Sequence, residues 1–547
     1  MSSFRTAFMI AFVALLVSVP SFAQTEPSKA NLLRGEYGRY RANNDLLFYD
    51  LSVRIDPEKK TIVGKNTIKF KMLKDDNRIQ LDLYDNLHVD SVTMGSKTLK
   101  YTRELGAVFV DFPEMLKAEK TYSIDFSYSG TPKTTGRFGG FAFSKDPAGR
   151  PWIFTACEGE GASIWWPNKD TWHDEVENMK LSVAIPSDLV DASNGRFLGK
   201  KDLGDGYTRW DWMINYPINN YNVSVNIGKY EHFQDRYNDL TLDYYALLED
   251  LEKAKVQFAQ TKGMLKAFEH YFGEYPFRKD GFKLIQVPYS GMEHQSAVTY
   301  GNRFANGYLE RDWTGVGIST KFDFIIIHES AHEWFGNAVS AADRSDMWIQ
   351  EGWTTYLECL FVEYTYGHDD YMKYTNAYKT KIRNTAPIIP QRGINATPPQ
   401  DMYFKGALFI HTLRSIVGDD KVWWPMMRDF YQQSKYKNIM TEDMVTFFNK
   451  RIGKDLTPVF DQYLRRTAVP KLELNFSDDK GNITYRWKAD EKGFAMPVKV
   501  GKKDQWKLIY PTTEWQTMKS PIEMKDFEAA TDLFYIDVSK VAFNAAK

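Results

Sequence analysis

Residues 322–337 read FDFIIIHESAHEWFGN, and ten residues further on 348–358 read WIQEGWTTYLE. His328 and His332 are four residues apart, and four helical steps of 100° leave them about 40° apart in projection. Both imidazoles therefore reach one point from one face of a helix, with Glu329 beside it. Two neutral nitrogens need a third protein ligand to hold zinc and still leave a position open for water. Glu351 lies nineteen residues beyond His332, at the start of the next helical run, where a helix–turn–helix folds its carboxylate back onto the pair. The spacing thus assigns His328, His332 and Glu351 to one zinc ion per chain. Glu329, not needed as a ligand, is placed to take a proton from water and pass it to a leaving amine. Glu358, one heptad after Glu351 on the same helical face, is either a partner for a zinc histidine or a plain surface carboxylate.

Outward from this stretch the helical rhythm continues. Leu251 to Phe272 carries helical spacing up to Gly273, and Asp323–Phe335 and Met347–Tyr364 follow. Further helices run to about Arg466, with Thr441 as the expected N-cap of the one starting at Glu442. A short strand, Gly281 to Val287, interrupts them. On the N-terminal side, from about Leu46 to Gly228, period-two runs replace the helical ones. Leu51, Val53 and Ile55 share a face, as do Ile68, Phe70 and Met72, and Tyr122, Ile124, Phe126 and Tyr128. Such runs describe a large antiparallel β domain. After Pro470, Leu472, Leu474 and Phe476 alternate, the chain turns over Asp478 to Asn482, and Ile483, Tyr485 and Trp487 alternate again. That is a hairpin opening a small β domain.

Composition supports a multidomain globular α+β protein. The chain has 547 residues, and 70 Lys+Arg against 71 Asp+Glu leave a formal charge of −1. No basic run provides the electrostatic footprint of a nucleic-acid binder. Two cysteines, Cys157 and Cys359, exclude a disulfide framework and a cysteine-based zinc site. The first residues carry Arg5, an apolar stretch from Ala7 to Val19, and small residues at Ser21 and Ala23. They read as a signal peptide over 1–23, giving a secreted or periplasmic protein with no stable membrane span after its removal.

Zinc and a base alone describe any zinc hydrolase. The stretch VPYSGMEHQSAVTYGN, 287–302, adds a carboxylate, Glu293, beside backbone that can lie along an extended peptide. A carboxylate in a cleft binds the ammonium of a free N-terminus, most strongly where water is excluded.

Together these motifs resemble the aminopeptidase N and leukotriene hydrolase family of gluzincin metallopeptidases. H-E-x-x-H, eighteen residues and a Glu match its zinc signature, and Ser290-Gly291-Met292-Glu293-His294 is similar to its G-x-M-E-N exopeptidase motif. Ser290 stands where the family usually has Gly, and His294 where it usually has Asn. The resemblance implies an N-terminal β saddle over 24–235, a thermolysin-like, mostly α catalytic domain over 236–469 and a small C-terminal β-sandwich over 470–547. It also implies that Tyr403, in MYFKGALFIHTLR, donates to the oxyanion of the tetrahedral intermediate. Glu158, in FTACEGEGAS, becomes the second amine-anchoring carboxylate, with Ala156 where a Gln is common. Gly291, Met292 and His294 would contact substrate. An imidazole at 294 is expected to charge below about pH 6.5 and weaken amine capture. Many relatives carry a large helical C-terminal domain. Its lack here predicts a more open cleft.

The expected function is therefore zinc-dependent removal of the N-terminal residue from peptides, by attack of zinc-bound water on the first peptide carbonyl. A zinc endopeptidase on the same core, and a catalytically idle peptide-binding scaffold, are the alternatives. The sequence leaves the oligomeric state open.

Overall fold

A computed structural model describes residues 26–135, 139–476, 481–503 and 505–542. The signal segment expected over 1–23 lies outside the described residues, as does most of the turn expected at Asp478 to Asn482. No helix among the described residues is long and apolar enough to cross a membrane.

The N-terminal unit is built on an eight-stranded sheet whose central strands are Asn44–Asp56, Thr61–Met72 and Thr121–Gly130. The period-two reading has its physical result here. Leu51, Val53, Ile55, Ile68, Phe70, Met72, Ile124, Phe126 and Tyr128 are all buried in the core, while their neighbours in sequence point outward. The sheet is not wholly antiparallel, as the alternation had suggested. Asn44–Asp56 pairs in parallel with Asn178–Pro186, because more than a hundred residues of intervening chain bring the second strand back in the same direction. A smaller five-stranded sheet contains Pro151–Ala156, which ends two residues before Glu158.

The catalytic unit has its own five-stranded sheet, in the order Tyr230–Tyr237, Leu240–Leu247, Phe282–Gln286, Val298–Tyr300, Gly291–Met292. Its first strand crosses the boundary expected at 235/236, so on hydrogen bonding this unit begins near Tyr230. The helical stretch expected over 251–272 is two helices, Leu251–Phe258 and Thr261–Phe272, closed at Gly273 with φ 96°. Helices Phe324–Ala331, Trp348–Tyr366 and Asp401–Val417 follow. Met440, not Thr441, caps the helix Thr441–Ile452, its N–H donating to Asp443. The Thr441 hydroxyl instead donates to Asp346 and accepts from Trp348 Nε1.

The C-terminal region is a four-stranded and a three-stranded sheet. Leu472, Leu474, Ile483, Tyr485 and Trp487 form its buried face. It grips the catalytic helices through backbone groups. Asp532 O faces His411 Nε2 at 2.9 Å, and Tyr535 N donates to Thr412 Oγ1 at 3.0 Å. Cys157 and Cys359 are both free and buried.

Candidate active site and metal centre

The helix Phe324–Ala331 starts at Asp323, whose Oδ1 accepts from the backbone N–H groups of Ile325 and Ile326. Its other oxygen accepts from Tyr300 at 2.7 Å, which ties the helix start to the catalytic sheet. The helix carries His328, Glu329 and, as its C-cap, His332. Glu351 sits in the first turn of Trp348–Tyr366, where a carboxylate also suits the helix N-terminus. That helix packs against Asp401–Val417 at a glycine pair. A Cβ on Gly406 would lie 3.0 Å from Gly352 Cα. The close approach brings Tyr403 to Glu351, and the phenol donates to Glu351 Oε1 at 2.8 Å.

His328, His332 and Glu351 each offer one ligand atom, and the three atoms lie within 4.8 Å of one another. Glu351 Oε2 is 3.6 Å from His328 Nε2 and 3.3 Å from His332 Nε2, and it accepts no hydrogen bond although it is buried. The far nitrogens are already engaged. His328 Nδ1 lies 2.6 Å from Glu358 Oε1, and His332 Nδ1 lies 3.1 Å from the Phe335 carbonyl. With those nitrogens protonated, both Nε2 lone pairs point into the gap. Two imidazoles and an orphaned carboxylate oxygen are the donor set of a catalytic zinc site, and the residues fit that ion.

Glu358 is buried, and its second oxygen accepts from Tyr374 at 3.1 Å and from Tyr378. It is therefore the histidine partner of the two readings, not the surface carboxylate. Burial alone would lower the His328 pKa, but Glu351 and Glu358 outweigh it and hold the pKa well above the ordinary value. For Glu351, burial would raise the pKa, and His332 with His328 hold it well below the ordinary carboxylate range. Glu329 goes the other way. Burial, opposed by His328 and reinforced by Glu293, pushes it up to about 7.

These groups line a cavity of about 260 Å³ together with Glu158, Ser290, Gly291, Met292, Glu293 and Tyr403. Glu293 is 3% exposed and accepts from Tyr221 at 3.1 Å. Its backbone carbonyl accepts from Asn337 at 2.7 Å. Glu293, Glu329 and His332 also converge within 4.8 Å. Glu158 comes from the N-terminal unit, and its carbonyl accepts from the Arg344 guanidinium. Burial, then the charges of Glu293 and Glu351, raises the pKa of Glu158 well above the usual range; burial likewise raises that of Glu293, against the pull of His332. Two acids therefore share one low-dielectric corner of the cavity, a place a cation would stabilise.

His294 departs from expectation. It is fully buried, neither ring nitrogen has a hydrogen-bond partner, and it does not line the cavity. Burial pushes its pKa down to about 3, so the imidazole stays neutral and the expected charge beside the amine corner does not form. Sequence reasoning also missed Tyr221, Arg344 and the Tyr374–Tyr378 pair. Only the last left a signal, two tyrosines four residues apart on one helix face.

The sequence pattern of the Peptidase family M1 domain matches residues 256–463, and that of the Peptidase M1 N-terminal domain matches 47–221. The chain belongs to peptidase family M1. Among M1 relatives, the probable aminopeptidase 2 of Sulfurisphaera tokodaii is 22% identical over 450 residues, 78% of this chain and 55% of that protein. The leucyl aminopeptidase of Saccharolobus solfataricus is 19% identical over 385 residues, 67% of this chain and 46% of its own. The chain thus spans about half the length of these relatives. Among solved structures, an M1 zinc metallopeptidase from Deinococcus radiodurans superposes with a TM-score of 0.67 at 18% identity, covering 78% of this chain and 95% of its own. A mutant of that enzyme bound to a Tyr-Ser-Ala substrate gives 0.64 at 19% identity, with 78% and 96% covered. The M1 fold is therefore shared across a β-rich N-terminal unit and a helical catalytic unit.

Proposed function

We propose that this M1 chain is a zinc-dependent aminopeptidase that releases the N-terminal residue of peptides. The observation that carries the reading is the pair Glu158 and Glu293. Two carboxylates from different units line the cavity that holds the histidine–glutamate donor set, Glu293 within 4.8 Å of His332 and Glu329. Two neighbouring carboxylates, Glu293 buried and Glu158 half-buried, are costly to ionise together without a matching cation, and a substrate ammonium supplies that cation. An endopeptidase, whose substrate carries no ammonium there, has no use for such a pair.

His328, His332 and Glu351 would hold the zinc, which when bound supplies Lewis-acid polarisation and activation of water. The chain's own groups do the rest. Glu158 and Glu293 hold the ammonium and so set the distance to the first peptide bond. Glu329, with its pKa near 7, accepts the proton of the attacking water and delivers it to the leaving amine. Tyr403 donates its single hydroxyl hydrogen to the carbonyl oxygen as negative charge develops there, exchanging its bond to Glu351. Gly291 and Met292 form the outer strand of the catalytic sheet, pairing with Val298–Tyr300, so their free edge suits an extended substrate backbone. We further propose an exported protein on the strength of the N-terminal segment, to be checked by N-terminal sequencing of protein from its native host.

The test is a pair of peptides, one with a free and one with an acetylated N-terminus. The reading expects a loss of at least about a hundredfold in kcat/KM on acetylation. Equal cleavage would favour an endopeptidase on the same zinc core. No cleavage of either by zinc-loaded protein would favour a binding scaffold.

A further inference from the structure

The cavity that holds Glu158 and Glu293 is also walled by rings. Tyr308, Trp313, Phe324 and Phe404 all line it. Ring centroids are 5.3 Å apart for Tyr308–Trp313, 5.5 Å for Tyr308–Phe324 and 6.0 Å for Trp313–Phe404. Phe324 stacks on His328 at 5.4 Å with planes 14° apart, so this wall adjoins the His328 side of the donor set. Glu293 gathers with His332 on the other side. A peptide whose ammonium is held at Glu158 and Glu293 places its first carbonyl at the donor set. Its second residue then falls on the His328 side, against the rings.

The wall is built rather than incidental. Tyr308 and Arg311 exchange both backbone hydrogen bonds at 3.1 Å around Leu309 and Glu310, whose φ angles are 51° and 68°. Two successive non-glycine residues in the left-handed region are strained, and such a turn persists only when its surroundings hold it. They do so here. Asn302 accepts from Leu309 N and donates to the Gly307 carbonyl, both at 2.7 Å. Beyond the turn, Asp312 accepts from Gly317 N at 2.7 Å and Ser319 Oγ at 2.5 Å, fixing the loop that carries Trp313. The Lys381 ammonium sits over the Trp313 indole, 5.0 Å from the ring centroid. Tyr308 and Trp313 are nevertheless only half-buried, leaving apolar ring surface turned to the cavity.

We infer that Tyr308, Trp313, Phe324 and Phe404 form the subsite for the second residue of the substrate, selecting peptides in which that residue is large and apolar or aromatic. The inference rests on the aminopeptidase reading, since the amine corner sets which residue meets the wall. Ring faces desolvate a Phe or Leu side chain, while Gly leaves them wet. Full burial of such a side chain corresponds to about tenfold to a hundredfold in affinity.

The experiment compares Ala-Phe-Gly, Ala-Leu-Gly, Ala-Lys-Gly and Ala-Gly-Gly on the zinc-loaded protein, by kcat/KM. It also measures their Kd by calorimetry on the Glu329→Gln variant, so that selection is read without turnover. Ala-Phe-Gly is expected to show a kcat/KM at least about tenfold higher and a Kd at least about tenfold lower than Ala-Gly-Gly. Trp313→Ala should reduce that ratio towards one, whatever change the two substrates share. Equal values for Phe and Gly at the second position in wild-type protein would overturn the subsite while Ala-Gly-Gly cleavage left the aminopeptidase reading standing. A tenfold preference for Lys would also overturn it, because the rings would then be reading a cation. Cleavage of acetyl-Ala-Phe-Gly at the rate of the free peptide would remove the reading beneath it.

Discussion

Glu358 Oε1 faces His328 Nδ1 across 2.6 Å, with both groups buried and the other carboxylate oxygen held by Tyr374 and Tyr378. This contact fixes the tautomer that leaves His328 Nε2 free to ligate. Glu358→Ala is expected to weaken zinc binding by roughly tenfold to a hundredfold. Competition against a chelator of known affinity reads it. Tyr378→Phe should have a smaller effect in the same direction. Unchanged zinc affinity in Glu358→Ala would mean that the carboxylate is merely structural.

Removing the base should separate chemistry from metal loading. Glu329→Gln is expected to lose about 10²–10⁴ in kcat with one zinc per chain retained. Tyr403→Phe should lose about 10²–10³, since one preordered donor is removed from the reacting oxygen. Activity within a factor of a few of wild type in either variant would reassign the corresponding role.

Arg344 holds the backbone of Glu158 while its guanidinium lies 5.1 Å over the Trp172 ring. Arg344→Met keeps most of the packing and loses the donor. KM for free peptides should then rise roughly tenfold, the worth of one charge-assisted hydrogen bond, with a smaller fall in kcat. Arg344→Lys should recover part of it. A change in kcat alone would show that Glu158 is positioned by something else.

The glycine contact between the Glu351 and Tyr403 helices has no spare room, because a Cβ on Gly352 would meet Met402 O at 3.1 Å and Gly406 Cα at 3.2 Å. Gly406→Ala should cost about 1–3 kcal/mol of stability through overpacking, visible as a lower Tm. Activity should fall further than the folded fraction does, because Tyr403 is pushed away from Glu351. A Tm equal to wild type would show that the helices separate freely.

Asp191 is buried, and burial raises its pKa to about 7 even though Trp212 and Ser193 donate to it. The folded chain therefore keeps this proton where the unfolded chain has lost it, and its contribution to stability falls as pH rises from about 4 to about 7. The slope from this one group is at most roughly 1.4 kcal/mol per pH unit. Asp191→Asn should flatten that part of the Tm-versus-pH curve. An unchanged curve would place the titration elsewhere.

The sequence by itself put His328 and His332 on one helix face, because i, i+4 geometry is local, and named Glu351 as the third candidate ligand; the fold brings the three ligand atoms within 4.8 Å of one another. The sequence determined the β-rich start, the helical middle and the β end for the same reason, since periods of two and 3.6 are properties of single elements. Its motif resemblance also named Glu158, Glu293 and Tyr403, which the fold then gathers into one cavity from three separate stretches. The tertiary structure decided what depends on neighbours distant in sequence. Glu358 became a histidine partner only because a helix brings Tyr374 and Tyr378 over it, and His294 became an inert buried ring because packing, not spacing, sets solvent access. The parallel pairing of Asn44–Asp56 with Asn178–Pro186 was equally invisible, since alternation records which face is dry but not the direction of the adjacent strand. The ring wall belongs to this second group, because Tyr308, Trp313 and Phe324 look like ordinary core until the fold turns them, with the distant Phe404, towards a common space.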